Sequence, residues 1–159
     1  MGFVLFHYTL FVLLGSILTS ATCLSAYLVS RKRTMLYASF GFLFYFFDVA
    51  WVFQRDFFTG ADAGVGPAYA LIMSLLMVLA GCGFLTSFWL LVCDYVGETR
   101  KALKVIPAVV FVAASVAVLL IVPEGGLRSF AFYSPRALYL FWMLAFAGAW
   151  YLRSKDAAE

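Results

Sequence analysis

Charge is scarce in this chain: Asp, Glu, Lys and Arg together make up 12% of its 159 residues. A water-soluble domain carries about 25%. Histidine occurs once, at His7, which excludes a pair of axial haem histidines or a multi-histidine metal centre within one chain. The three cysteines, Cys23, Cys82 and Cys93, share no CxxC spacing and lie in or beside apolar runs, where they read as small buried hydrophobes. No Lys or Arg precedes Arg31, so the N-terminal run lacks the basic flank of a signal peptide and is also too long for one. Carboxylate pairs, nucleophile–base sets and metal-ligand clusters are missing at any recognisable spacing. Neither enzymatic activity nor a cofactor or metal is therefore expected. The few cations gather at the ends of apolar runs, which argues against nucleic-acid binding.

Apolar residues are abundant: 65% of the chain is hydrophobic and 19% aromatic. A protein of this size cannot hide so much apolar surface in one core under water. Its solvent is lipid, and the bilayer is its first partner. A helix needs about 20 apolar residues to cross the hydrocarbon core. Five runs meet or approach that length, over residues 3–29, 34–54, 68–92, 103–122 and 135–152. The expected fold is all-α: a polytopic membrane bundle of five transmembrane helices forming one integral membrane domain.

The runs differ in detail. In the first, Gly15, Ser16, Thr19 and Ser20, with Cys23, lie three or four apart and form a small-residue stripe suited to close helix packing. The second follows after only Arg31, Lys32 and Arg33, so the first two helices should form an antiparallel hairpin. Residues 55–66 are glycine-rich, but they lack the Gly-Lys-Ser/Thr ending of a phosphate loop. The third run carries Gly83 and Ser87, a small-xxx-small pair. Pro107 is expected in the first turn of the fourth helix, where its missing N–H is not needed, and Pro123 after its end. Residues 124–134 read as a loop. The fifth run is the shortest, and Tyr133, Tyr139, Trp142, Trp150 and Tyr151 fall toward its two ends as an aromatic belt.

Charge placement sets the expected orientation. Arg31, Lys32, Arg33, Arg100, Lys101, Lys104, Arg153 and Lys155 collect on one side, against Arg55, Arg128 and Arg136 on the other. The richer side should be cytoplasmic, which puts the N-terminus outside and the C-terminus inside.

One acid interrupts the second run. Tyr37, Gly41, Phe44, Asp48, Trp51 and Arg55 are spaced four and three apart, so Asp48 shares a helix face with an aromatic stripe. Arg55 stands two turns away, about 10 Å along the axis, beyond direct pairing on a straight helix. A carboxylate in lipid costs several kcal/mol or takes up a proton. Asp48, with Tyr37, Trp51 and Arg55, is the candidate site for sensing a ligand or a proton. The competing reading is a structural hydrogen bond to a hydroxyl on the first helix or to water. Asp94, Glu98, Glu124 and His7 read as interfacial or solvated groups.

The same stretch, SRKRTMLYASFGFLFYFFDVAWVFQRDF, resembles the second helix in the multi-pass N-terminal membrane regions of bacterial sensor kinases and membrane-bound transcriptional regulators. The sequence carries no kinase or DNA-binding output domain, so that resemblance implies a stand-alone or truncated sensor half. The expected function is a sensory or interaction module of the bacterial inner membrane, acting through helix packing with a second copy or a partner membrane protein. The alternative is a small transporter, or a subunit of one, with Asp48 in its path.

Overall fold

The computed structural model of the chain describes residues 2–54, 57, 67–121 and 126–156. Five helices run through these residues: α1 (Gly2–Ser30), α2 (Arg33–Gln54), α3 (Pro67–Tyr95), α4 (Lys101–Ile121) and α5 (Gly126–Asp156). The first four are long and apolar enough to cross a membrane. Large side chains stand outward on them, such as Phe11 (79% exposed), Val29 (88%) and Ile121 (77%). Such a surface would aggregate in water, whereas lipid tails are as apolar as the side chains themselves.

α5 departs from the expected fifth span of 135–152. It is 31 residues long and begins nine residues earlier, at Gly126, so part of the expected 124–134 loop is helical and Pro135 lies inside the helix. Its arginines, tyrosines and tryptophans leave it outside the set of helices apolar enough to span. Pro107 is likewise displaced from its expected place. α4 starts at Lys101, so Pro107 stands in the second turn and not the first. It cannot donate to the Leu103 carbonyl there, and its ring crowds that carbonyl, which bends a helix.

The chain divides into two compact units, Met1–Ser87 and Phe88–Glu159, with the boundary inside α3. In the first unit α1 and α2 pack side by side along their length. The turn between them is two residues long. Arg31 adopts a left-handed conformation (φ 56°), and its N–H closes on the Tyr27 carbonyl at 2.7 Å. Glycine usually fills this position at the end of a helix, because the conformation costs other residues roughly 1–2 kcal/mol.

Ser20 and Ser39 clasp the hairpin. Each hydroxyl donates to the other residue's backbone carbonyl at 2.9 Å, and the two oxygens lie 3.3 Å apart. Both residues are buried. The hydroxyls of Thr9, Thr19, Thr22, Ser25 and Ser30 instead donate to carbonyls four residues back on α1. That bonding lets polar residues sit on an apolar helix without unmet donors. Within the expected small-residue stripe of α1, Ser16 and Ser20 are buried, Gly15 borders open space and Thr19 donates its hydroxyl to the Gly15 carbonyl. Ser20→Ala combined with Ser39→Ala in a double-mutant cycle is expected to give a coupling of about 0.5–1.5 kcal/mol, measured by unfolding in mixed micelles. A coupling of zero would show that the clasp contributes no stability.

In the second unit α3 ends on Gly97, also left-handed (φ 68°). The Gly97 N–H donates to Asp94 and the Glu98 N–H to Cys93, at 3.2 and 2.8 Å, which satisfies two of the last carbonyls of the helix. Glu98 then grips Arg100 through two side-chain bonds of 3.0 and 2.9 Å and accepts the Arg100 backbone N–H at 2.8 Å. These bonds from Arg100 hold the Glu98 carboxyl down at about 2. Trp89 is wholly buried and anchors this unit. Its indole N–H donates to the Lys104 carbonyl at 3.0 Å, and its ring meets Phe146 edge-on at 5.0 Å. Phe111 of α4 stacks on Tyr139 of α5 at 4.4 Å, nearly parallel.

Candidate functional site

The face of α2 that carries Asp48 is built by its aromatic run. Gly41 is buried, and one turn on Phe44 lies against α3 at Gly83. Glycine is required at that point, because a Cβ on residue 83 would fall 2.5 Å from the Phe44 ring. Tyr45 packs on Phe84 at 4.9 Å beside it. These contacts hold α2 and α3 together at one level.

Beyond that level, toward the end of α2, the two helices border a cleft of about 520 Å³. Phe44, Phe47, Ala50, Trp51 and Gln54 line it from α2, and Leu76, Met77, Leu79 and Ala80 from α3. Gln54 is the one lining side chain with hydrogen-bonding groups other than the Trp51 indole. Asp48 stands on α2 between the Phe44/Phe47 pair and Trp51. It is half-buried, and its Oδ1 is fully covered. Asp48 is not among the residues that line the cleft, which by its lining can take up a small, largely apolar molecule.

Of the other residues that the spacing grouped with Asp48, Trp51 lines the cleft, while Tyr37 is half-buried and is not among its lining residues. Arg55 lies outside the described residues. Among the packing candidates, Gly83 meets Phe44 and Ser87 is buried. Arg31, Lys32, Arg33, Arg100 and Lys101 are exposed, with Lys104 half-buried. His7 is exposed, its ring 5.5 Å from Phe6, which in turn contacts Phe53 at 5.1 Å and Phe57 at 5.3 Å. No group of three or more His, Cys, Asp or Glu comes together among the described residues.

Two features escaped the sequence reading. Ser39 is a lone hydroxyl in an aromatic run and becomes meaningful only once Ser20 is found opposite it. Pro107 and Pro135, read as helix starts, line a second cleft of about 310 Å³ within the α4–α5 pair, together with Phe111, Tyr139 and Trp142. The signal available for it was the pair of prolines set inside apolar, aromatic runs. No protein-family model matches the chain, and no curated protein or solved structure matches it either.

Proposed function

We propose that this chain is a five-span protein of the bacterial inner membrane, with its N-terminus outside and its C-terminus in the cytoplasm. In this reading it serves as a sensory or interaction module that acts through helix packing, and it carries out no catalysis. The covered carboxyl of Asp48, set within a helix apolar enough to span the membrane, carries the reading. Ionisable groups within membrane spans face functional interiors far more often than lipid. A ligand or a proton arriving there would alter the contact of α2 with α3, and a packed helix pair passes such a change on as a discrete shift. The likeness of α2 to sensor regions supports the same assignment, with a second copy or a partner membrane protein receiving the signal.

The length of α5 supports the fifth span. Its 31 residues reach about 46 Å, which exceeds the hydrocarbon thickness. The split of basic residues between the two sides supports the orientation. A reporter fused after Glu159 is expected to be active only in the cytoplasm, and periplasmic activity would overturn both the fifth span and the orientation.

A second reading is a small transporter or transporter subunit with Asp48 in its path, since an acid inside a membrane span can serve as a proton relay. Asp48→Asn separates the two. On the sensory reading, self-association or partner capture in vesicles, followed by energy transfer between labelled copies, shifts at least about fivefold. Ion flux across the same vesicles stays at background. On the transport reading, wild-type protein supports proton-coupled flux and the variant loses it. If the substitution alters neither association nor flux, Asp48 has no functional part.

A further inference from the structure

The α1–α2 turn places three cations in succession where two membrane-crossing helices meet the bilayer surface. Arg31, Lys32 and Arg33 are all exposed. Their side chains make no hydrogen bond or ion pair among the described residues. The contrast with the α3–α4 connection is sharp, because there Glu98 neutralises Arg100 through a two-pronged bridge. At the α1–α2 turn no acid stands in the first turn of α2, and none occurs anywhere in α1.

The backbone of the turn is already committed. The Arg31 N–H goes to Tyr27, the Lys32 N–H to the Ser30 hydroxyl, and the Lys32 carbonyl accepts from Met35. These bonds hold the loop closed and leave the three charged side chains exposed to a partner. Arg31 also keeps its guanidinium in a left-handed conformation that glycine would adopt without strain. The turn therefore trades conformational ease for a third positive charge.

We propose that Arg31, Lys32 and Arg33 form a docking site for the phosphate headgroup of an anionic phospholipid. The apolar flanks of α1 and α2 hold the turn at headgroup depth, where such phosphates are concentrated. Guanidinium groups pair with phosphate oxygens through two parallel N–H bonds, and the ammonium adds a point charge. Charge complementarity selects the lipid, and the flanking helices give its acyl chains an apolar surface.

Native mass spectrometry of the full chain in neutral detergent, titrated with phosphatidylglycerol or phosphatidylcholine, tests the site. In micelles the direction of membrane insertion no longer matters, so a change in topology cannot mimic the result. Wild-type protein is expected to prefer the anionic lipid roughly tenfold. R31Q/K32Q/R33Q should reduce that preference to about onefold, while R31K/R33K and the control R100Q/K101Q should keep most of it. Should the triple variant fail to fold, the single variants R31Q, K32Q and R33Q decide, each expected to lower the preference by about two- to threefold. The wild-type preference should also collapse in about 0.5 M salt, where charges are screened within a few Å. An anionic preference that survives the triple substitution or high salt, or that disappears in the R100Q/K101Q control, would overturn the proposal. Displacement of the lipid by an equal concentration of inorganic phosphate would overturn it too, by making free phosphate the ligand.

Discussion

Replacing Trp89 by Ala is expected to destabilise the protein by about 3–5 kcal/mol, the largest loss for any single truncation in the described core. The side chain is fully buried and borders Tyr139, Trp142 and Phe146, with ring centres 6.3, 6.2 and 5.0 Å away. In water much of such a loss comes from transfer of apolar surface. In a bilayer that part shrinks, because lipid solvates an indole well, and the loss of close contacts dominates. The indole N–H adds a second component. It reaches the Lys104 carbonyl near the start of α4, so truncation also unties α3 from α4. Trp89→Phe keeps most of the packing and removes that bond, with an expected cost of about 1–2 kcal/mol. Reversible unfolding in mixed micelles gives both values. A Trp89→Ala cost below that of Trp89→Phe would show that the ring is not the anchor of this unit.

Gly83→Leu should be comparably damaging for the opposite reason. Even a methyl group at residue 83 would fall 2.5 Å from Cγ of Phe44 and 2.6 Å from Cδ1. Those atoms are the root and shoulder of the ring, so the side chain cannot swing its tip aside and the helices must part. Gly83→Ala is expected to cost about 1–3 kcal/mol, and leucine more. Pairing either change with Phe44→Ala should recover a good part of the loss, because the cavity left by the ring accepts the new side chain. Strictly additive losses in that double variant would mean that Phe44 and Gly83 do not share a contact. Because Phe44 also lines the 520 Å³ cleft, the same substitutions should distort the cleft before they unfold the chain.

Much of the architecture was legible in the residues, for one physical reason. Backbone groups in lipid must bond within their own helix, so long apolar runs leave a single solution. The hairpin of α1 and α2 followed from a connection too short for anything else. A four-and-three spacing put Asp48 on one face with Phe44 and Trp51; those two line the cleft, whereas Asp48 is not among its lining residues. Helix limits were read less well where proline and charge serve as punctuation. Lys101 lay outside the expected 103–122 run, yet the long stem of a lysine lets a helix pass through the interface while its ammonium group reaches water. That extension moved Pro107 from the first turn into the second. Pro135 after a glycine pair looked like a beginning, whereas α5 runs on through it from Gly126. Tyr139 and Trp142, read as part of an aromatic belt, also pack on the buried Trp89. Composition does not name the residue a ring touches.

The cysteines supply an intrinsic clock for opening of the bundle. Cys82 and Cys93 are sealed, whereas Cys23 is half-exposed. Each sealed thiol reports on a different unit, since the boundary between Ser87 and Phe88 separates them. A thiol reagent added to the untouched protein should therefore modify Cys23 first. The order in which the other two follow then tells which half of the molecule loosens sooner, with no introduced label.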